Sequence, residues 1–221
     1  MIGSASFSIL GKTTASISYS QDVSVIYKAD TIYFYGYDFA HFTFAEDVVV
    51  NAPGRYIFPW INYINSHFPF SEMEKWMKTT IIQDFSFTNK INKEIVDNLS
   101  MMAINTSSAL TEDSIQAIIS NYDLKQKDGI GLVALMEYVN KAKEETLVQF
   151  VFFDIKTKKH IKTYESLVYG GTGIGLTKHW GRSFVKNVDH LIRSYHYHLR
   201  SSHKSEWKRK KKRIFKQGFS R

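Results

Sequence analysis

The chain has 221 residues, of which 43% are hydrophobic and 15% aromatic, so it can bury a full core as a single domain. It contains no cysteine, which excludes disulfides, thiolate nucleophiles and cysteine-ligated zinc. Its net charge is +8, and no apolar run approaches the roughly 18 residues that a membrane-spanning helix requires, so we do not expect an integral membrane protein.

The positive charge is concentrated in one segment. Residues 200–221 contain ten Lys or Arg and one Glu, a net charge of +9, which leaves −1 on residues 1–199. We therefore expect a single α/β domain over residues 22–199, followed by a basic tail over 200–221 that is disordered because like charges at this density repel. Residues 1–21 are small, polar and weakly apolar, and we expect a flexible arm or the remnant of a signal peptide there.

The first half of the domain alternates between strand and helix patterns. Residues 23–27 and 31–35 are rich in β-branched and aromatic side chains, which predicts two strands or one bent strand. Residues 57–68 have apolar side chains at helical spacing and are followed by a proline, so they predict a helix. A second helix is expected to start near Ser71, and strand character returns at residues 81–87.

The second half has the stronger signals. Residues 90–101 have helical spacing, and Thr111 resembles the N-cap of the next helix because acidic residues follow it directly. Residues 131–139 and 147–155 predict strands, and 161–169 is the expected antiparallel partner of the latter in a hairpin.

A long helix is expected to begin near Thr177, because apolar residues then recur every three or four positions. The stripe consists of Trp180, Phe184, Val188, Leu191, Ile192, Tyr195 and Leu199. Together these elements predict an α/β (α+β) fold, with a mixed sheet that includes an antiparallel hairpin, helices on at least one face and a long carboxy-terminal helix.

A glycine-rich run lies between the last predicted strand and the long helix. Gly171, Gly173 and Gly175 occupy the place where a phosphate-binding loop would lie. The dinucleotide fingerprint requires a further glycine where Leu176 stands, and the Walker A sequence is absent. The pattern favours a tight strand-to-helix crossing, with Trp180 as its first apolar contact, over a nucleotide site, and no cofactor is expected.

Catalytic and metal-binding patterns are not evident in the sequence. Five histidines cluster late in the chain, but His196 and His198 are two residues apart and point to different faces of a helix. A nucleophile-elbow sequence is missing. We therefore expect neither a metal site nor an enzyme, and we interpret the clustered histidines His179, His190, His196, His198 and His203 as residues beside the apolar stripe.

The basic tail is the segment whose chemistry implies a partner. Clustered Lys and Arg attract phosphate polymers and anionic lipid, although a basic end can also serve solubility alone. The candidate polyanion-binding residues are Lys208, Arg209, Lys210, Lys211, Lys212 and Arg213.

Three short motifs resemble a group of exported bacterial envelope proteins. They are the GYDF sequence at residues 36–39, FFDIKT at 152–157 and GIGLTKHW at 173–180. That group is similar in layout to the α/β domains of the curli-secretion lipoprotein and of the amino-terminal part of TolB, which act by protein contacts. The resemblance covers about residues 22 to 199, and it carries over no catalytic residue. Here Ile174 replaces an aromatic residue of the group's pattern.

The resemblance implies a non-enzymatic cell-envelope protein that acts through protein assembly or scaffolding, by contact with a protein partner or with itself. The alternative is a binding module whose tail, residues 200–221, contacts nucleic acid or anionic lipid. A third reading, a small-molecule enzyme, requires a deep pocket that gathers several of the histidines with acids among Asp38, Glu46, Asp47, Asp84 and Asp154. A signal peptide encoded upstream of Met1 would place the protein in the periplasm or cell envelope, and the cytoplasm is expected otherwise.

Overall fold

The computed structural model describes residues 22–45, 53–68, 70–97, 109–170 and 175–218. Within these residues the helices are α1 Ser24–Lys28, α2 Ile57–His67, α3 Phe70–Met77, α4 Ser86–Asp97, α5 Glu112–Ser120, α6 Leu176–Ser202 and α7 Lys204–Gly218. The strands are β1 Thr31–Asp38, β2 Thr43–Ala45, β3 Thr80–Gln83, β4 Ile130–Asn140, β5 Glu145–Asp154 and β6 Lys159–Tyr169.

The strands form one mixed sheet in the order β3-β1-β4-β5-β6, and β2 pairs with the far end of β4. β1 is parallel to β3 and to β4, whereas β4, β5 and β6 are antiparallel neighbours. The predicted α/β fold with a mixed sheet and an antiparallel hairpin is therefore confirmed. So is the long helix, which begins at Leu176, one residue before the predicted start.

Helices cover both faces of the sheet, because the buried strands present apolar side chains on both sides. The larger core cluster includes Trp60, Phe184 and Tyr195 and joins the sheet to α1, α2, α3 and α6. A smaller cluster on the other face packs α5 against the sheet through Ile115 and Ile119. The apolar stripe predicted for α6 is buried along its whole length.

Backbone carbonyls in the second half of β1 accept hydrogen bonds from side chains of a helix. β3 pairs with β1 only as far as Phe34, so the following carbonyls need other partners. The Thr88 hydroxyl of α4 donates to the Tyr35 carbonyl, and the Asn92 amide donates to the Tyr37 carbonyl at 2.7 Å. The side chains of α4 thus continue the edge of the sheet where β3 ends.

The backbone and the close packing at position 36 require a glycine. Its φ is +93°, and a Cβ there would lie 2.9 Å from the Phe85 ring and 3.0 Å from the Thr88 hydroxyl. The β1–β4 register shifts between Phe34 and Tyr37, so Gly36 forms a bulge. Gly36 is the first residue of the GYDF sequence, and Asp38, its third residue, is the last residue of β1.

The strand predicted at residues 81–87 ends at Gln83, because Asp84 accepts hydrogen bonds from the amide and hydroxyl of Ser86, where α4 begins. Two further predictions were wrong. Residues 23–27 lie largely in α1 rather than in a strand, because Asp22 accepts hydrogen bonds from the amide and hydroxyl of Ser24 and so favours a turn just before the helix. The basic tail is not disordered over its described part, since residues 204–218 form α7. The expected arm, residues 1–21, lies outside the described residues.

Candidate functional site

Helix α7 is anchored on the turn that joins α1 to β1. Lys210 is only 1% exposed, and its ammonium donates to the Ala29 carbonyl at 2.6 Å, which also accepts from the Thr79 hydroxyl at 2.9 Å. Burial lowers the pKa of Lys210 to about 8, and the charges of Arg209 and Arg213 lower it further. Lys210 therefore points into the protein and is not available to a partner.

Asp30 holds two arginines of the same helix. Its Oδ1 lies 2.9 Å from Arg209 Nη1 and 2.8 Å from Arg213 Nη1. Arg209 also pairs with Glu206 at 2.7 Å and donates to the Lys28 carbonyl at 2.9 Å. Arginine suits this place because its planar fork can bind several acceptors at once.

Four other lysines of α7 point away from the protein. At about 100° per residue, Lys204, Lys208, Lys211 and Lys212 fall within an arc of about 100° on the side opposite Lys210. All four are exposed, and we call them the lysine face. Lys211 Nζ lies 5.0 Å from the centroid of the Trp207 ring, which is partly buried against the core. Like charges thus form one continuous strip.

The cationic surface extends from α7 onto the turn between α3 and β3. Burial lowers the pKa of Lys78, and the charges of Lys75 and Lys211 lower it further, while Lys75 itself pairs with Glu72 at 3.1 Å. Trp76 is exposed by 43% beside them, and its Nε1 donates to Glu72 at 3.2 Å. The surface therefore combines lysines with an exposed indole.

The sequence predicted that this segment is cationic, but not that it forms a helix with one side facing outward and the other anchored to the protein. Of the six candidate residues, the structure turns Lys208, Lys211 and Lys212 outward and uses Arg209, Lys210 and Arg213 for anchoring. The prediction omitted Lys204 and Lys78. A helical wheel would have found the strip that includes Lys204, whereas the approach of Lys78 needs the fold.

The glycine-rich segment lies between β6 and α6. Gly171 and Gly173 are outside the described residues, and Gly175 precedes α6 with a φ of +85°. Trp180 is buried in the larger core cluster. The Leu176 carbonyl accepts from Trp60 Nε1 at 3.2 Å, which fixes the start of α6 against α2.

The histidines of α6 are separated by their packing. Ser166 Oγ lies 3.0 Å from His190 Nδ1, and His196 Nδ1 lies 2.9 Å from the Trp76 carbonyl oxygen. His203, just after α6, stacks on Tyr27 at 4.2 Å between ring centroids. In the part of the chain that the structure describes, no three His, Asp or Glu side chains are arranged to hold a metal ion.

A cavity of about 440 Å³ opens at the opposite end of β1 from α7, beyond the carboxyl end of the strand. It lies between α4 and α5, and most of its lining is apolar. Asp38 forms its polar end: Oδ1 accepts from the Ala40 amide at 2.7 Å, and Oδ2 accepts from the Tyr122 hydroxyl at 2.5 Å. Burial, followed by the charge of Asp38, raises the pKa of Tyr122 well above its ordinary value, so its hydroxyl stays protonated and donates.

None of the described helices is long and apolar enough to cross a membrane. Comparisons with protein-family models, curated proteins and solved structures return no match. The resemblance to exported envelope proteins therefore stays a prediction.

Proposed function

We propose that this protein is a non-enzymatic binding module of the cell envelope, which attaches to the anionic surface of a membrane through the lysine face of α7. The observation that carries the proposal is the division of α7 into two sides. Its arginines and Lys210 fix the helix to the protein, and Lys204, Lys208, Lys211 and Lys212 remain outward with no acidic residue of α7 among them.

Electrostatics alone would suit any phosphate-bearing partner. Each Lys near an anionic membrane contributes about 1 kcal/mol of binding, and the attraction falls off within about 10 Å, so the lysines must lie on one surface, as they do here. An exposed indole beside lysines favours a membrane over a nucleic acid, because tryptophan concentrates at membrane–water interfaces. Trp76 is 43% exposed and lies between Lys75 and Lys78 in the sequence, with Glu72 bound to both its indole and Lys75.

The test is co-sedimentation of the full chain with vesicles that contain about one third phosphatidylglycerol. The variant Lys204→Gln/Lys208→Gln/Lys211→Gln/Lys212→Gln removes four exposed charges and none of the ion pairs or hydrogen bonds that anchor α7, and we expect it to bind about tenfold more weakly or worse. A matched control, Lys90→Gln/Lys93→Gln/Lys125→Gln/Lys156→Gln, removes the same charge from exposed positions elsewhere.

The two variants separate the alternatives. Loss of binding in the lysine-face variant alone supports the proposal, whereas equal loss in both would mean that net charge, and not this surface, drives binding. Binding to a duplex oligonucleotide in the absence of binding to vesicles would overturn the membrane assignment and favour nucleic acid. Absence of binding to either would remove the function altogether.

Assembly through protein contacts is the second candidate function, and the edge strand β6 favours it. β6 has 11 residues and, within the described residues, pairs only with β5. A long strand with one free edge can add a strand from a second copy. Sedimentation velocity over a range of protein concentrations tests this, since a species that stays monomeric at every concentration would contradict self-association through β6.

A further inference from the structure

The cavity beyond β1 has the position of a ligand site in an open α/β sheet. β3 and β4 lie parallel to β1 on its two sides. The connection from β1 to β3 runs through α2 and α3 on one face, and the connection from β3 to β4 places α5 on the other face. Ligands of such sheets bind outside the carboxyl ends of the strands, at the point where neighbouring connections go to opposite faces.

Asp38 gives this cavity its chemical character. The residue is only 2% exposed, and its partners among the described residues are two neutral groups, the Ala40 amide and the Tyr122 hydroxyl. A buried carboxylate costs free energy unless it is paired with a positive charge, and each of its oxygens can accept two hydrogen bonds. His41 also lines the cavity, and among the described residues it forms neither a hydrogen bond nor an ion pair with Asp38.

Apart from His41, Ser114 and Asn121, the rest of the lining suits an apolar body. Phe87 and Ile91 of α4 face the space from one side, and Ala117 and Ile118 of α5 face it from the other. A volume of about 440 Å³ falls in the range of small-molecule sites. The walls thus favour an apolar group, and the polar end favours a donor that carries a positive charge.

We propose that this cavity binds a small organic cation, with its ammonium group against Asp38 and its apolar body between α4 and α5. The ammonium donates to the free lone pairs of the carboxylate, and the Ala40 and Tyr122 bonds hold the carboxylate in place. The site is independent of α7, which lies at the opposite end of β1, so it stands or fails separately from the membrane proposal.

The experiment compares three probes with the same ring and different charges: 2-phenylethylamine, 2-phenylethanol and phenylacetate. Calorimetric titration of the full chain should show saturable binding of the amine, binding of the alcohol that is about tenfold weaker or worse, and no binding of the acid. Equal affinity for amine and alcohol would overturn the proposal, and so would the absence of saturable amine binding.

Two variants locate the site. Asp38→Asn should remove the preference for the amine over the alcohol, and Ala117→Phe, on the exposed side of α5, should fill the cavity and abolish binding of both. Lys93→Phe places the same ring on an exposed position of α4 away from the lining and should leave binding unchanged. Full amine binding by Ala117→Phe would show that the amine sits elsewhere.

Asp38→Asn can also disturb the fold, so Tyr122→Phe is the accompanying variant. It removes one hydrogen bond to Asp38 and keeps the carboxylate charge. We expect it to retain the preference for the amine. Loss of that preference in Tyr122→Phe would show that the charge of Asp38 is not what selects the cation, and would overturn the assignment.

Discussion

At the residue scale, Glu137 of β4 is a buried carboxyl with one satisfied oxygen. Its Oε1 accepts from the Leu110 amide at 3.1 Å, and its buried Oε2 has no hydrogen-bond partner among the described residues. Burial is the main cause that raises its pKa from 4.5 to about 7, and the nearby Glu165 adds to it. The carboxyl is therefore protonated in the folded protein at pH values where it is ionised in the unfolded chain.

The raised pKa predicts a pH-dependent stability. Below about pH 4.5 the carboxyl is protonated in both states and costs nothing, and between pH 4.5 and 7 the folded state binds more protons, so stability falls as the pH rises. Glu137→Gln removes this cost, and we expect its free energy of unfolding to exceed that of the parent by about 2 kcal/mol at pH 8 and by little at pH 4.5. Urea denaturation at the two pH values measures this.

The exposed Glu94 of α4 provides the control for that experiment. Glu94→Gln makes the same chemical change where no buried carboxyl is involved. A gain of equal size at pH 4.5 and pH 8 for Glu137→Gln would show that the effect comes from packing and not from ionisation.

Gly36 is the second residue whose replacement gives a clear expectation. Gly36→Ala places a methyl group at a positive φ and against Phe85 and Thr88, so it strains the bulge and pushes α4 away from β1. We expect a loss of about 1–3 kcal/mol in the free energy of unfolding, measured by urea denaturation. Gly170 also has a positive φ, but a Cβ there would have no atom within 4 Å, so Gly170→Ala isolates the backbone contribution, and equal losses in the two variants would contradict a steric role for Phe85.

Sequence patterns predict residues that repeat a local period, and they miss pairs that only the fold brings together. The stripe from Trp180 to Leu199 was predictable because burial follows the helical repeat. Asp38 and Tyr122 meet across 84 residues, and no periodicity signals such a contact. The motif at residues 36–39 stands out as a pattern in the sequence, but the reason for it, the bulge and the side chains of α4, appears only in three dimensions.

At the element scale, the anchoring of α7 rests on surface ion pairs and on one buried lysine. Asp30→Asn removes the charge that binds Arg209 and Arg213. Because Asp30 is about half exposed, each pair contributes about 0–1 kcal/mol, so we expect faster amide exchange in α7 and little change in global stability. Hydrogen exchange of residues 204–213 measures this.

A matched control for Asp30→Asn is Asp128→Asn, at an exposed position between α5 and β4. It should leave exchange in α7 unchanged. If exchange in α7 is equally slow in both variants, the other contacts of α7, those of Lys210, Trp207 and Arg209 with the Lys28 carbonyl, hold the helix, and the ion pairs of Asp30 contribute nothing measurable.

Both element-level errors have one physical cause. Residues 23–27 have strand-forming side chains, yet the hydrogen bonds from Ser24 to Asp22 and the burial of Ile26 and Tyr27 favour a short helix. Repulsion between like charges predicted disorder for the tail, yet Asp30, Glu206 and the carbonyls of Lys28 and Ala29 bind its cations. Tertiary contacts override local preference in both cases.

At the scale of the whole molecule, α7 is part of the domain and its removal should be costly. A chain that ends at Ser202 lacks Trp207, which packs against the larger core cluster, and lacks Lys210, which donates to the Ala29 carbonyl. We expect a loss of about 1–3 kcal/mol in the free energy of unfolding by urea denaturation. The four-glutamine variant of the lysine face should stay within about 0.5 kcal/mol of the parent, because its substitutions are on the surface.

If truncation leaves the free energy of unfolding unchanged, residues 203–221 are a tail that can be separated from the domain. The comparison also decides how partner binding is best tested. Truncation changes the stability of the domain and its charge together, whereas substitution on the lysine face changes the charge alone.

The contact between Asp30 and Arg209 spans 179 residues of sequence. At about 5–20 residues per second, the ribosome makes the arginine roughly 10–35 s after the aspartate. Throughout that time α7 does not yet cover the amino-terminal end of β1, although β1, β3 and β4 can already form the sheet. The finished fold therefore depends on a segment that is synthesised long after β1, and a nascent chain stalled before residue 204 would present the uncovered amino-terminal end of β1 to chaperones or to other chains.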